Sequence, residues 1–448
     1  MKASFVFLLV CLNFTTWAQK SSDLFKNGDR VVFVGNSITH AGEFTKYISL
    51  FYATRFPGEK VAFYNAGIAG DVAAGIISRM DSDVLVHKPT IAVLMVGMND
   101  VGRDLYDIKN VGDTAIDRKK LKALDNYKKN VLQIADKFQQ FGCSSIFELP
   151  TIYDETSKFS KPTLIGVNGA LGKCAGYLSS IAPKYNARLV DYYSIMNEVN
   201  KEQQMKDSAF TIVGKDRVHP GPPGYLVMAY QFLKSTGASA YISKTIIDAG
   251  KSEVSEALNC SVKLKSSTKT ELSFESVEKA LPYPVPNDAK PALNYISFTK
   301  DLNLEILQLK NMKAGNYSLY IDEANIGVFS SKALAEGINL ALETLTPQYL
   351  QAVKVMKLCS DYHNICLNLR SIAYTEYKLL GSSIKNSFDE NKLLLENKPN
   401  AGFSKTMAEQ YIKYKPIQKE LINRLDIVRD SIYITNVPGK HIFKLIKI

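Results

Sequence analysis

The sequence predicts an α/β protein with a parallel sheet covered by helices, followed by a small antiparallel β domain and a long helical hairpin. In residues 24–242, short strand-like runs alternate with longer amphipathic stretches, which is typical of a parallel sheet covered on both faces. Residues 245–330 then alternate with period two, and residues 331–434 carry apolar residues at helical spacing.

The first region contains short runs of β-branched and aromatic residues, each typical of a buried strand. They cover residues 31–34, 61–64, 91–96, 144–149 and 188–190. The amphipathic stretches predict helices over residues 44–55, 72–80, 121–141, 168–181 and 224–233. Strands and helices in this order predict a parallel sheet, because parallel strands require crossover connections.

The second half changes in character. Strands are predicted over residues 261–264, 270–274, 295–299, 302–309, 317–322 and 327–330. Prolines in residues 281–291 predict an extended loop, since proline cannot pair within a central strand. Long helices are predicted over residues 346–380 and 403–432, with Pro416 as a kink and residues 390–402 as the loop between them. Residues 435–448 predict a terminal strand that returns to the β domain.

The composition is that of a folded protein with more than one domain. The chain has 448 residues, of which 46% are hydrophobic and 22% charged. The net charge of +11 comes from lysines interleaved with acids, and residues 118–120 form the only tight basic run. This distribution indicates a solvated surface and predicts no nucleic-acid partner.

Residues 1–18 have the pattern of a signal peptide. Lys2 supplies the positive start, residues 5–12 the apolar centre, and residues 16–18 a cleavage site. The apolar part is too short to span a bilayer, and no later stretch is long and apolar enough. Cys11 stands in a poor context for a lipoprotein site. We therefore expect an exported protein, periplasmic or secreted, without a membrane anchor.

Removal of Cys11 with the signal peptide leaves an odd number of cysteines, so at least one is unpaired. The remaining ones are Cys143, Cys174, Cys260, Cys359 and Cys366. The last two are seven residues apart in a helical pattern, about 10 Å along the axis and too far for a disulfide. We expect the hydrophobic core, rather than cross-links, to stabilise the chain.

Four short polar segments carry the candidate chemistry. They are Gly-Asn-Ser-Ile-Thr at residues 35–39, Asn-Ala-Gly-Ile-Ala-Gly-Asp at 65–71, Gly-Met-Asn-Asp at 97–100 and Asp-Arg-Val-His-Pro at 216–220. Three of them follow predicted strands, and the carboxyl ends of parallel strands meet at one edge of a sheet. The fourth precedes the last predicted helix of the region. We therefore expect one edge of the sheet to gather all four.

The residue types in these segments fit acyl transfer by serine. Such a reaction needs a nucleophile, a base held in one tautomer, and donors directed at the oxyanion. The nucleophile would be Ser37, and the base would be His219, held in one tautomer by Asp216. The donors would be the N–H groups of Ser37 and Gly70 and the side-chain amide of Asn99. Each residue alone also has a structural explanation. Ser37 or Asn99 can cap a helix, Gly70 can form a turn, His219 can be an ordinary loop residue, and Asp216 can form an ion pair.

The combination resembles the SGNH, or GDSL-like, hydrolase family over the whole first region. The serine, glycine, asparagine and histidine of that name fall on Ser37, Gly70, Asn99 and His219, and Asp216 occupies the aspartate position of the DxxH element. The resemblance implies a flavodoxin-like three-layer α/β/α fold. It also implies Ser37 as nucleophile, His219 as general base and acid, Asp216 as the residue that orients it, and Ser37, Gly70 and Asn99 in the oxyanion hole.

Two positions depart from the family pattern. Asn36 stands where the family usually has an aspartate, and Met98 replaces the second glycine of GGND. Neither change removes a reacting group. Ordinary α/β-hydrolases are a poorer match, because their G-x-S-x-G element needs a glycine where Thr39 stands.

Residues beside the motifs are expected to border the pocket and to contact substrate: His40, Asp71, Arg79 and Met98. The other histidines have no metal-ligand spacing: His87, His363 and His441. No Gly-rich loop is followed by the Lys-Ser/Thr pair of a phosphate site. We predict no metal and no cofactor.

The leading hypothesis is an exported serine esterase, a carboxylic ester hydrolase that removes short acyl groups, foremost acetyl, from carbohydrate. Its β and helical regions resemble the accessory region of some exported esterases of this family that act on polysaccharides. One alternative is a lipid esterase such as a lysophospholipase, which needs an apolar acyl channel; Met98, Ile68 and Val101 are candidates to line one. Another is a non-catalytic glycan-binding protein on an esterase fold, although all five catalytic-type residues are retained. The sequence leaves the oligomeric state open.

Overall fold

A computed structural model describes residues 25–448 of the chain. The predicted signal peptide, residues 1–18, and Cys11 lie outside the described residues. The first part contains the strands β1 (Arg30–Gly35), β2 (Ala62–Gly67), β3 (Ile91–Met95), β4 (Ser144–Leu149) and β5 (Arg188–Asp191). All neighbours in this sheet are parallel, in the order β2-β1-β3-β4-β5. The predicted parallel sheet is confirmed.

Helices cover both faces of the sheet. They are α1 (Ser37–Ala41), α2 (Glu43–Arg55), α3 (Ala73–Arg79), α4 (Thr114–Phe141), α5 (Val167–Ile181), α6 (Tyr192–Gln204) and α7 (Pro222–Ser235). Successive side chains of a strand point to opposite faces. Phe33 therefore packs in one core with residues of α2, α6 and α7, whereas Val34 packs in a second core with residues of α3, α4 and α5. This arrangement is the three-layer α/β/α fold.

The register of the sheet positions the motif segments at one edge. Gly35 at the end of β1 is aligned with Gly67 of β2 and Met95 of β3. The chain leaves each of these strands at the same edge, so the loops that follow are neighbours. The helix α1 lies so close to β2 that a Cβ on Gly67 would stand 2.2 Å from the His40 backbone nitrogen. Only glycine permits this approach.

The β-rich part contains two sheets, of which one is antiparallel throughout, as predicted, and the other includes one parallel pair. It consists of β6 (Tyr241–Asp248), β7 (Glu253–Leu258), β8 (Cys260–Ser267), β9 (Glu271–Glu278), β10 (Leu304–Lys310), β11 (Asn316–Ile321), β12 (Ala324–Ser330), β13 (Ile338–Asn339) and β14 (Lys440–Lys447). One sheet has the order β13-β10-β6-β7, with β10 parallel to β6, and the other has the order β12-β11-β14-β9-β8. The predicted strand at residues 295–299 is wrong, because α8 (Phe298–Leu302) begins there.

The C-terminal helices form more than a simple hairpin. They are α9 (Ser331–Glu336), α10 (Pro347–Tyr374), α11 (Phe388–Glu396), α12 (Gly402–Tyr414) and α13 (Gln418–Thr435). The predicted loop at residues 390–402 is wrong in its first half, since α11 occupies it. Pro416 lies in a short 3₁₀ turn, Lys415–Ile417, that separates α12 from α13. A π-helical turn, Thr375–Leu380, extends α10.

The C-terminal helices share the core of the first domain. Val355 and Cys359 of α10 are buried in the same cluster as Phe44 and Phe51 of α2. All five cysteines of the described range are free. In residues 25–448, no helix has both the length and the apolar character needed to cross a membrane.

Candidate active site

Ser37 is the first residue of α1 and directly follows the turn after β1. Asn36 caps this helix, because its side-chain oxygen accepts a hydrogen bond from the N–H of Ile38 at 3.2 Å. The Ser37 hydroxyl is therefore not the cap, and the structural alternative for this residue is wrong. The sequence change from aspartate to Asn36 preserves an oxygen acceptor at the capping position.

The side chains of Ser37, His219 and Asp216 form one hydrogen-bonded chain. The Nε2 atom of His219 lies 2.7 Å from Oγ of Ser37, which is 182 residues away in the sequence. The Nδ1 atom of the same ring lies 2.5 Å from Oδ2 of Asp216. A carboxylate on Nδ1 fixes the tautomer in which Nε2 is free to accept the serine proton. The arrangement can therefore activate the Ser37 hydroxyl as a nucleophile.

Hydrogen bonds shape the loop that carries Asp216 and His219. Oδ1 of Asp216 accepts from the N–H groups of Val218 and His219, each at 3.0 Å. Partial burial opposes ionisation, but the bonds from the His219 ring and from these N–H groups outweigh it and lower the pKa of Asp216. The carboxylate thus remains charged at neutral pH, as the partner of an imidazolium must be.

Arg217, between the two site residues, anchors this loop. Its backbone has a φ of +66°, a conformation that costs energy for a residue with a side chain. The buried guanidinium compensates, since it donates to the Asp154 carbonyl at 2.7 Å and lies over the Phe159 ring at 4.3 Å. The role of Arg217 is not apparent from the sequence, because one arginine in a loop carries no distinguishing signal.

Two backbone donors and one amide lie on the loops around Ser37. Within residues 25–448, neither the N–H of Ser37 nor that of Gly70 donates to a protein acceptor. Gly70 is exposed and has a φ of +72°, which glycine adopts without strain. The Asn99 Nδ2 atom donates one hydrogen bond, to the Asp71 carbonyl at 2.8 Å, so its second N–H remains for another acceptor.

Asp100 connects the Asn99 loop to α3. One oxygen of its carboxylate accepts from the N–H of Ala73 at 2.7 Å, and the other accepts from the N–H of Gly97 at 3.0 Å. Burial raises the pKa of Asp100 to about 6, although both backbone bonds act in the opposite direction. This carboxylate therefore fixes the two loops that carry Gly70 and Asn99 against each other.

Comparisons with known proteins identify the family of this chain. The family model described as GDSL-like lipase/acylhydrolase matches residues 31–232. The solved structure of a gut microbial diltiazem-metabolizing enzyme is 30% identical, with a TM-score of 0.87 over 95% of this chain and 98% of the other. The chain belongs to the GDSL-like lipase/acylhydrolase family. The protein is therefore an enzyme that hydrolyses ester bonds.

An acetylxylan esterase of Geobacillus stearothermophilus is also similar to the first part of this GDSL-family esterase. It is 24% identical over 226 residues, which are 47% of this chain and 95% of the relative. A crystal structure of an acetylxylan esterase from the same organism is 22% identical, with a TM-score of 0.38 over 48% of this chain and 96% of the other. Neither likeness extends over the C-terminal half.

The four residues expected to border the pocket are buried in this GDSL-family esterase. Met98 is 2% exposed and belongs to the core beneath the sheet, and His40 is 6% exposed. Burial, and then the charge of Arg370, lower the pKa of His40 to about 3, so its ring is neutral. Asp71 and Arg79 form an ion pair of 2.9 Å inside the protein. The structure assigns these side chains to packing and to an ionic cluster rather than to the open rim.

Residues of the C-terminal helices reach the site, although the sequence gives no indication of this contact. The ring of His40, one helical turn after Ser37, contacts Tyr374 and Phe403, with centroids 6.0 and 5.8 Å away. Ile68 and Ala69, directly before Gly70, pack against Tyr374. Contacts between residues more than 300 positions apart leave no local pattern in a single sequence. Among residues 25–448, no cluster of His, Cys, Asp and Glu side chains is arranged to hold a metal ion.

Proposed function

We propose that this protein is an exported serine esterase that removes acetyl groups from carbohydrate, with Ser37, His219 and Asp216 as its catalytic triad. The proposal depends on one observation above all. The His219 ring joins the Ser37 hydroxyl at 2.7 Å to the Asp216 carboxylate at 2.5 Å. Nucleophile, base and orienting acid thus stand in the order that acyl transfer requires.

In the first half-reaction, Oγ of Ser37 attacks the carbonyl carbon of the ester while Nε2 of His219 takes the hydroxyl proton. The carbonyl oxygen becomes an oxyanion, which accepts hydrogen bonds from the N–H groups of Ser37 and Gly70 and from Nδ2 of Asn99. The tetrahedral intermediate then breaks its bond to the alcohol oxygen. His219 gives its proton to that oxygen, and an acetylated Ser37 remains.

In the second half-reaction, water takes the place of the alcohol. His219 removes a proton from the water, and the resulting oxygen nucleophile attacks the acetyl carbon. Collapse of the second intermediate releases acetate and returns the proton to Oγ of Ser37. Asp216 remains ionised throughout and stabilises the imidazolium that forms twice in each cycle.

Packing beside the site favours a short acyl group. A lysophospholipase needs an apolar channel, and the candidate lining residues were Met98, Ile68 and Val101. Val101 and Ile68 are fully buried and Met98 is 2% exposed, each within a hydrophobic cluster. Because these side chains are already in contact with protein, they do not face an opening that holds a fatty acyl chain.

Phe403 supports a carbohydrate as the alcohol part of the ester. Phe403 is 50% exposed although its ring packs against His40, which lies one helical turn after Ser37. An exposed aromatic face beside a reacting group provides apolar area on which the C–H face of a sugar ring can lie. The relative described as an acetylxylan esterase supports the same substrate class.

Small aromatic esters are a second candidate substrate class. The relative that covers nearly the whole chain is described as a diltiazem-metabolizing enzyme. Diltiazem is an acetate ester that also carries aromatic rings. The same chemistry at Ser37 would release acetate from it. Phe403 and Tyr374 would then contact the aromatic ring of the substrate instead of a sugar.

An acetate-release assay tests these proposals. We expect acetate from p-nitrophenyl acetate and from acetylated xylan, little product from a p-nitrophenyl ester of octanoate, and none from any substrate with Ser37→Ala. Full activity of Ser37→Ala would contradict the mechanism, and faster turnover of the octanoate ester would favour a lipid esterase. Release from diltiazem but not from acetylated polysaccharides would favour the second class. Sequencing the N-terminus of the secreted protein tests export, with Gln19 as the expected first residue.

A further inference from the structure

An ionic cluster of Asp71, Arg79, Asp83, Arg370 and Lys378 lies beneath the loop that carries Gly70. Arg370 of α10 binds the Asp83 carboxylate through two nitrogens, at 2.7 and 2.9 Å, and its Nε donates to the Gly67 carbonyl at 3.1 Å. Burial alone would raise the pKa of Asp83, but Arg370 and Arg79 lower it to about 2. The cluster therefore joins the C-terminal helices to the end of β2.

Asp71 connects this cluster to the proposed oxyanion donors. Its N–H closes the turn around Gly70 by donating to the Ile68 carbonyl at 3.1 Å, and its own carbonyl accepts from Nδ2 of Asn99 at 2.8 Å. The backbone of Asp71 thus contacts both proposed donors that lie outside the Ser37 helix. Any displacement of Asp71 displaces Gly70 and Asn99 together.

Two cations hold the side chain of Asp71. Arg79 donates to Oδ2 and Lys378 to Oδ1, each at 2.9 Å. Arg79 belongs to the first domain and also binds the Ala66 carbonyl and Asp83. Lys378 comes from the π-helical turn that extends α10, and Asp71 is its ion-pair partner among residues 25–448. Turns of this kind are frequent at functional sites.

We infer that Lys378 is a positioning residue for the oxyanion hole, which it controls through Asp71. This inference rests on the proposed function, in which Gly70 and Asn99 bind the oxyanion. Lys378 fixes one carboxylate oxygen of Asp71, and the backbone of Asp71 fixes the two donors. The C-terminal helices are then part of the catalytic unit rather than an attached module.

Lys378 suits a test because its removal leaves no buried gap. Its side chain is 31% exposed, whereas Arg79 is 2% exposed and supports several carbonyls. Replacement by methionine keeps the length of the side chain and removes the charge. Replacement by arginine restores a cation that can bind a carboxylate. Lys357→Met is the matched control, since Lys357 is 76% exposed on the same helix and pairs with Asp361 one turn away.

The experiment measures kcat, KM and the thermal unfolding midpoint of the full chain with p-nitrophenyl acetate. We expect Lys378→Met to lower kcat about 10-fold or more, because small misplacements of reacting groups cost up to about 100-fold in rate. KM should stay within about twofold of the wild-type value, since the oxyanion contact forms only in the transition state. Lys378→Arg should recover most of kcat, and Lys357→Met should match the wild type in both constants.

Four results would overturn the inference. The first is an unchanged kcat for Lys378→Met. The second is a rise in KM alone, which would make Lys378 a substrate-binding residue. The third is a loss of kcat that accompanies a lower unfolding midpoint and is not rescued by Lys378→Arg, which would indicate a purely structural role. The fourth is full activity of Ser37→Ala, which would overturn the proposed function and this inference with it.

Discussion

The ring nitrogen Nε2 of His219 lies 2.7 Å from the hydroxyl oxygen of Ser37, and the two residues come from opposite ends of the α/β domain. Ser37 follows the first strand of the sheet, and His219 precedes its last helix. The contact exists because strand ends and the final loop meet at one edge of a parallel sheet. In the proposed mechanism, the tautomer of His219, and hence the Asp216 carboxylate, determines the rate.

Asp216→Asn should lower kcat for p-nitrophenyl acetate by at least about 100-fold, because an amide no longer fixes the reactive tautomer or stabilises the imidazolium. KM should change little. Asp207→Asn is the control, since Asp207 also accepts a backbone N–H in an exposed turn but does not contact the triad. Equal losses in both variants would show that the effect does not arise from the His219 contact.

Asn99→Ala should lower kcat by about 100- to 1,000-fold with a similar KM, as expected for loss of one oxyanion donor. The matched control is Asn110→Ala, because its side chain donates to the Asp104 carbonyl at 3.2 Å outside the site. Steady-state measurements of kcat and KM for both variants test this prediction. A kcat within threefold of wild type in Asn99→Ala would remove this residue from the proposed oxyanion hole.

Phe403→Ala should raise KM for acetylated xylo-oligosaccharides by about 5- to 10-fold and leave kcat unchanged. An aromatic contact of this kind contributes roughly 1 kcal/mol, and it is made equally in the ground and transition states. Ile427→Ala is the control, since Ile427 is 65% exposed on α13. If both variants keep the wild-type KM, the sugar does not lie on Phe403.

Glu305→Gln should stabilise the protein at alkaline pH. Glu305 is 2% exposed, and neither of its carboxylate oxygens has a hydrogen-bond partner among residues 25–448. Burial, and then the charge of Glu278, raise the pKa of Glu305 from 4.5 to about 8. Between these values the folded state keeps a proton that the unfolded state has lost, so wild-type stability falls as pH rises.

The glutamine side chain of the variant does not titrate in this pH range. The free energy of unfolding of the variant, relative to that of the wild type, should therefore increase from about pH 5 to about pH 8. The increase should be at least about 1.4 kcal/mol, the equivalent of one pKa unit. Urea denaturation at several pH values measures it. Glu323→Gln, in an exposed turn, is the control variant. The prediction is contradicted if the difference in unfolding free energy between Glu305→Gln and the wild type does not change with pH.

The α/β domain was predictable because its signals are local. Buried strands such as β1 and β3 are continuous apolar runs, and the residues after them are the small polar ones that strand ends place at a site. Ser37, Gly70 and Asn99 follow from this pattern, and His219 with Asp216 follow from their spacing. The burial of Arg79 and His40 did not follow, because it depends on α10, which packs over them from the other end of the chain.

Other errors have identifiable causes. Residues 295–299 alternate like a strand, but the run is too short to distinguish period two from a single helical turn. The helix α11 does have a sequence signal, since Ser387 and Glu390 have capping-box spacing and the Ser387 hydroxyl accepts from the Glu390 N–H at 3.4 Å. The division of the β-rich part into two sheets was not predictable from the sequence, because strand pairing is set by long-range contacts, such as that of β14 with β9 and β11.

The position of β14 has a mechanical consequence. Strands β12 and β14 lie on either side of β11 and are both antiparallel to it, so the chain between them leaves the sheet near the start of β11 and re-enters it near the end of β11. The helices in residues 331–439 are tethered at both ends and cannot rotate outward about a single hinge. Lys378 therefore belongs to a helical segment that is attached to the sheet at both of its ends. Its distance from Asp71 does not depend on the stiffness of one linker.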